Sequence, residues 1–216
     1  MNFHELFHET KLVAILRGVP SDQLFELLDC LYNNGIRLAE LTYDATDDIP
    51  DEMTASDIGR AATYMEGRML IGAGTVIRRE QVELTKAMGG KFIISPNMDP
   101  EIIRYTKELD MISMPGAMTV SEVCDAVNAG ADYVKLFPVS VLGPGFVKAI
   151  LAPLRNAKLV AVSGVTPNNI DEYLRAGCIG AGIGSGFFTP EQVKARRYDL
   201  IAQNVQNFAN AIKAAK

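Results

Sequence analysis

Of the ten lysines in this chain, one stands where a lysine needs a reason. In DYVKLFP, residues 132–138, Lys135 sits between Val134 and Leu136 in an apolar run, just before Phe137-Pro138. Desolvating an amine there is costly unless a charge partner or a chemical task compensates. A low dielectric lowers a lysine's pKa and enlarges the unprotonated fraction, which can attack a carbonyl carbon and form a Schiff base. The other reading is an ion-paired or snorkelling lysine whose head reaches solvent. The remaining nine lysines compete poorly, because Lys91 and Lys158 begin apolar runs and the others fall in helical patterns, loops or near the terminus.

A carboxylate has the matching oddity. In LAELT, residues 38–42, a period of two puts Leu38, Glu40 and Thr42 on one face. A glutamate aimed at the same axis as Lys135 can hold a raised pKa and move protons during carbinolamine formation and carbon-carbon cleavage. Otherwise Glu40 is a structural salt bridge to Arg17 or Lys135, or an axial carboxylate without chemistry. Arg17 can pair with a carboxylate or phosphate, or simply neutralise Glu40. Thr75 ends GAGT with a hydroxyl for a carboxylate or carbonyl oxygen, or else caps the helical stretch REQVELTKA. Pro96 closes the next apolar run as a substrate-binding candidate, and Phe137 either walls off an imine or fills a packing layer. Ser163-Gly164 and the stretch Gly182-Ile183-Gly184-Ser185 offer small residues whose backbone N–H groups can approach a phosphate, the second preceding FFTPEQV, where a short helix can begin; plain turn chemistry is the competing reading. His4 and His8 have metal-ligand spacing, but on an exposed, glutamate-flanked helix no metal site is expected.

These residues need a scaffold that brings them together, and the chain repeats one. Short apolar runs recur at 12–18, 36–42, 69–75, 91–95, 109–115, 132–138, 158–164 and 178–185. Between them lie stretches such as SDQLFELLDCLYNNG, VSEVCDAVNAG and NNIDEYLRAG, with apolar residues at helical spacing and a closing glycine. Eight such βα units predict an α/β fold, a closed (β/α)8 TIM barrel spanning 1–216 as a single domain, with a short helix over 2–9 in front. A doubly wound sheet is the nearest rival, yet the first run leads into Arg17-Gly18-Val19-Pro20 instead of a GxGxxG turn. In a barrel the chemistry belongs at the C-terminal strand ends, and that is where the candidates above fall.

Bulk properties narrow the partners. With 216 residues, 48% of them hydrophobic, the chain can bury one large core. A net charge of -5 with scattered basic residues argues against nucleic acid and anionic membranes. Cys30, Cys124 and Cys178 are an odd set without CxxC spacing, which fits a reducing compartment. The start MNFHELFHETKL does not read as a signal peptide, and no run of apolar residues is long enough for a membrane span, so a cytoplasmic protein is expected.

Taken in order, VAILRG, AELT, IGAGTV, FIISPN, MPGAMTVSEV, YVKLFP, SGVTPNN and GIGS resemble the 2-keto-3-deoxy-6-phosphogluconate (KDPG) and 4-hydroxy-2-oxoglutarate (KHG) aldolase family over about residues 5–200. The resemblance implies a class I aldolase that cleaves KDPG or a related hydroxy-2-oxo acid to pyruvate and an aldehyde. It implies Lys135 as the Schiff-base lysine, Glu40 as the general acid/base, and Arg17, Thr75, Pro96, Phe137 and Ser163 as substrate-binding residues. Ser163, Gly164, Gly184 and Ser185 would hold phosphate. The expected partner is a small 2-oxo acid or phosphorylated sugar acid, with no metal or organic cofactor and a homotrimeric assembly. Several departures bear on the substrate. Asp44 stands where the family pattern has an arginine that contacts the substrate carboxylate, Val162-Ser163-Gly164 stands for a Thr-Gly-Gly, Ile183-Gly184-Ser185 for a Gly-Gly-Ser, and Gly186 for a following tryptophan. An aldolase with an altered substrate is therefore the second reading, with a sugar-acid-binding barrel without turnover and a phosphosugar epimerase behind it.

Overall fold

The computed structural model describes residues 1–46 and 48–214. Each of the eight apolar runs contains a strand: β1 Leu12–Leu16, β2 Leu38–Thr42, β3 Leu70–Gly74, β4 Phe92–Ile94, β5 Ile112–Met114 with β6 Gly116–Ala117, β7 Val134–Leu136, β8 Leu159–Val162 and β9 Gly180–Ile183. The fifth run carries β5 and ends at Pro115, directly after which the second short strand, β6, begins. All pairings are parallel, in the order β5-β4-β3-β2-β1-β9-β8-β7-β6. The ring therefore closes within a single passage of chain, with β5 bonded to β4 and β6 bonded to β7 on either side of Pro115. A doubly wound sheet is excluded by that order.

Helices follow the strands and cover the ring from outside. Leu24, Leu27, Leu28 and Leu31 bury one face of the helix Leu24–Asn33, at the three-and-four spacing that marks an amphipathic helix. The helix Val120–Asn128 starts where Thr119 Oγ1 accepts from the Glu122 amide and Glu122 reaches back to the Thr119 amide. The last helix, Tyr198–Ala214, packs back on Leu24–Asn33, with Gln206 Nε2 donating to Asn34 Oδ1 at 2.8 Å. Among the described residues, no helix is long and apolar enough to cross a membrane.

Period two divides every strand between two cores. Residues such as Ala39, Leu41, Ile93, Val134, Leu136, Leu159 and Ala161 face the helices. Val13, Leu38, Phe92, Ile94, Met114, Tyr133, Val160 and Val162 face the axis and fill it. The N-terminal helix, Phe3–Thr10, plugs one mouth of this inner core with Phe3 and Phe7, which pack on Tyr133. His4 Nδ1 lies 2.5 Å from the Tyr133 hydroxyl, so this histidine belongs to the plug. With the axis filled at one end by aromatic rings, the strands finish at the other.

Candidate active site

The same alternation that fills the axis carries polar groups to its open end. Just before β7, Tyr133 lies in the inner core and Lys135 follows two residues later; on β2, Leu38 is followed by Glu40. Val13 and Ile15 lead to Arg17, and Phe92 and Ile94 lead to Pro96. One cavity of about 250 Å³ is lined by Arg17, Glu40, Thr75, Pro96, Lys135, Phe137, Ser163, Gly164, Gly184 and Ser185, the whole set singled out from sequence. Two wider clefts of about 790 Å³ each lie among helix ends and around the plug, and none of these ten residues lines either.

Lys135 is 8% exposed and Glu40 is 2% exposed. Burial pushes the Lys135 ammonium below its usual range; Glu40 opposes this and Arg17 adds to it. Burial also raises Glu40, from 4.5 to about 7, against the pull of the Lys135 and Arg17 charges. An amine pushed down and a carboxyl pushed up in one cavity are closer in proton affinity than the free side chains, which lowers the free-energy cost of passing a proton between them. Oε2 of Glu40 is buried without a hydrogen-bond partner among the described residues, so the carboxylate is not the anchored half of a structural salt bridge. The Lys135 Nζ lies 4.8 Å from the centre of the Phe137 ring, which puts an aromatic wall beside the amine.

Glu40 links stability to pH in a defined direction. Its folded-state pKa lies above the ordinary value, so between 4.5 and about 7 the folded protein binds more protons than the unfolded chain, and stability falls as pH rises through that window. Glu40→Gln removes the titration. The unfolding free energy of the variant relative to the parent should therefore rise by up to about 3 kcal/mol from pH 4.5 to about pH 8. Urea melts at intervals across that range measure it, and a difference independent of pH would contradict the burial argument.

Thr75 does not cap the following helix, as one of its two readings required. Gln81 Oε1 serves that end instead, accepting from the amides of Ile77 and Arg78 at 2.9 and 3.2 Å. Thr75 adopts φ 57°, a strained position for a β-branched residue, and its Oγ1 accepts from Arg17 Nη2 at 2.9 Å. A hydroxyl that accepts from a guanidinium keeps its own proton to donate, so the pair presents donors to an anionic or carbonyl oxygen. Arg17 is thus engaged with Thr75 rather than serving only to neutralise Glu40.

At the last two strand ends, Ser163 and Gly164 both have positive φ, 70° and 90°. A Cβ on Gly164 would lie 2.5 Å from that of Ser140, so this turn needs glycine for space as well as for conformation. The helix Pro190–Lys194 contributes less than its sequence position suggested, because Thr189 Oγ1 already accepts from the Gln192 amide at its N-terminus. The small-residue turns line the cavity; the helix end does not.

Asp44 departs from its expected role. Its carboxylate accepts from the amides of Thr46, Asp48 and Ile49 at 3.0, 3.0 and 3.1 Å, and it organises its own loop without lining the cavity. These hydrogen bonds, led by the Thr46 amide, hold it below the usual carboxylate range. Asp47 lies outside the described residues. Residues that sequence reasoning did not place in the site are Ile15 and Val165, which also line the cavity, together with Gly182, Ile183 and Gly186 of the last turn. Ile15 had a signal, since it sits two residues before Arg17 on the same face. Val162, noted from sequence as a departure, forms an apolar wall. No group of three or more His, Cys, Asp or Glu among the described residues could hold a metal ion.

Residues 3–204 match the family described as KDPG and KHG aldolase. The chain is 33% identical over 203 residues to the 2-dehydro-3-deoxy-6-phosphogalactonate aldolase of Escherichia coli K12, covering 94% of this chain and 96% of that protein. It is 36% identical over 183 residues to a probable 2-dehydro-3-deoxy-6-phosphogalactonate aldolase of Rhizobium meliloti, covering 84% of each. A solved structure described as native KDPGal superimposes with a TM-score of 0.86 at 33% identity, covering 94% of this chain and 95% of the other.

Proposed function

The chain belongs to the KDPG and KHG aldolase family, and from that premise we propose that Lys135 is its Schiff-base lysine and Glu40 the carboxyl group that moves protons for it. As a class I aldolase, the protein acts on KDPG-like 2-keto-3-deoxy sugar acids or hydroxy-2-oxo acids and yields pyruvate and an aldehyde. The observation that carries the residue assignment is the buried Lys135 and Glu40 in one cavity, their pKa values shifted in opposite senses.

In the proposed cycle the neutral Lys135 amine adds to the C2 carbonyl, and Glu40 supplies the proton with which the carbinolamine loses water. The resulting iminium takes up the electron pair of the C3–C4 bond as the C4 hydroxyl gives its proton to a carboxylate, and the aldehyde departs. The enamine then takes a proton at C3, and water releases pyruvate and the free amine. The imine is itself the electron sink, so the cycle calls for no metal. Thr75 with Arg17 is assigned to the pyruvate-derived end, between Pro96 and Phe137, and Ser163, Gly164, Gly184 and Ser185 to a terminal phosphate; their shared cavity supports this. The proposed assembly is a cytoplasmic homotrimer, on the family resemblance and the three free cysteines.

The proposed preferred substrate is 2-dehydro-3-deoxy-6-phosphogalactonate, because the relatives of 33% and 36% identity carry that name. Asp44 lends no support to a broader change of substrate, since its carboxylate is occupied within its loop. Pyruvate release can be followed with lactate dehydrogenase for four compounds: the phosphogalactonate, KDPG, unphosphorylated 2-keto-3-deoxygluconate and 4-hydroxy-2-oxoglutarate. The phosphogalactonate should give the highest kcat/KM. Loss of the phosphate should cost about 10²-fold, the worth of one or two charge-assisted hydrogen bonds. Equal turnover with and without phosphate would remove the role given to the two turns.

A further inference from the structure

The glycine that ends β3 has no backbone reason to be a glycine. Gly74 is not among the positions of positive φ, and it pairs in register with Thr42 as an ordinary strand residue. A glycine there weakens a strand, having no side chain to pack and more freedom to lose on folding. What a side chain would meet first is the Glu40 carboxyl group. The three nearest atoms to a Cβ built on Gly74 are Oε1, Cδ and Oε2 of Glu40, the farthest at 2.8 Å.

Gly72, two residues earlier on the same face, is the contrasting case. Its Cβ would run into the ring of Phe92 and into the Phe92 carbonyl oxygen, each at 2.5 Å. A main-chain oxygen held in a barrel cannot step aside. A carboxylate at the end of a flexible side chain can. Nor does a hydrogen bond keep the carboxylate in place at Oε2, which has no partner among the described residues, so packing must set its position. Gly74 is one wall of that packing.

We propose that Gly74 is a positioning residue for the reaction: its bare Cα leaves the space in which the Glu40 carboxylate is held in the cavity with Lys135, and a side chain there turns the carboxylate away while the barrel stays intact. The inference rests on the reading of Glu40 as the proton-transfer group. It goes beyond that reading by placing a specificity of geometry, not of charge, on a residue with no side chain.

A double-mutant cycle over Gly74→Ala and Glu40→Gln tests it, read as kcat and KM for cleavage and as exchange of the pyruvate methyl protons in deuterated water. Gly74→Ala alone should lower kcat and exchange about 10²-fold with KM nearly unchanged, and should displace the limb of the kcat-pH profile that Glu40 sets. In the Glu40→Gln background the same alanine should cost less than about 3-fold, because the group it displaces no longer transfers protons. Equal losses in both backgrounds, or full activity in Gly74→Ala, would overturn the inference while leaving Glu40 in its role. Full activity in Glu40→Gln would instead overturn the reading of Glu40, and this inference with it. Thermal melts supply the contrast, with Gly72→Ala strongly destabilised and Gly74→Ala close to the parent. Should Gly74→Ala fail to fold, Gly74→Ala/Glu40→Ala carries the test: restored folding supports a clash with the carboxylate alone, and continued failure overturns it.

Discussion

A Lys135→Met variant is expected to lose cleavage activity by at least about 10⁴-fold, the scale seen when the nucleophile of a covalent mechanism is removed. Methionine keeps the length and apolar stem of lysine, so the inner core should remain filled. Removing a desolvated amine also removes a burial cost, and the melting temperature should hold or rise. The substitution has a second, independent signature. Lys135 is one of the two cations that pull the Glu40 carboxyl down toward its value of about 7; without it the carboxyl should hold its proton to a higher pH. Infrared titration of the carboxyl stretch reads that shift directly. Activity within about 10-fold of the parent would rule out an obligatory imine at this residue.

Glu40→Gln is expected to lower kcat by about 10² to 10⁴-fold, the usual contribution of a positioned general acid or base. Glutamine matches the shape but neither gives nor takes the proton. The limb of the kcat/KM-pH profile near 7 should vanish with it, since that limb belongs to a carboxyl of the free enzyme whose proton is retained by burial. Imine formation should slow without stopping, because the amine remains. A variant with parental kcat and an unchanged profile would mean that water or another group carries the protons.

The sequence showed the architecture because every repeat obeys one period. Apolar runs alternating with helical stretches placed all eight barrel positions, and the same two-residue alternation put Lys135 and Glu40 on the axis. Both were legible for one reason: a charge inside an apolar strand contradicts its surroundings. What stayed hidden was set by contacts across the chain. The break at Pro115 that closes the ring depends on two neighbouring strands, which no local pattern reports. The Arg17 bond to Thr75 joins residues 58 positions apart, and either residue alone has an adequate local explanation. Asp44 looked like a charge reversal in the site because its alignment position was visible and its loop hydrogen bonds were not. Gly74 carries no local signal, because what its bare Cα makes room for is the carboxylate of Glu40 on the neighbouring strand.

Borohydride reduction in the presence of saturating pyruvate, followed by intact-protein and peptide mass analysis, tests the central claim most directly. The account predicts one reduced pyruvate per chain, on the peptide that contains Lys135, and none in Lys135→Met. A folded protein that forms no adduct, or one that carries it on any of the other nine lysines, would contradict it.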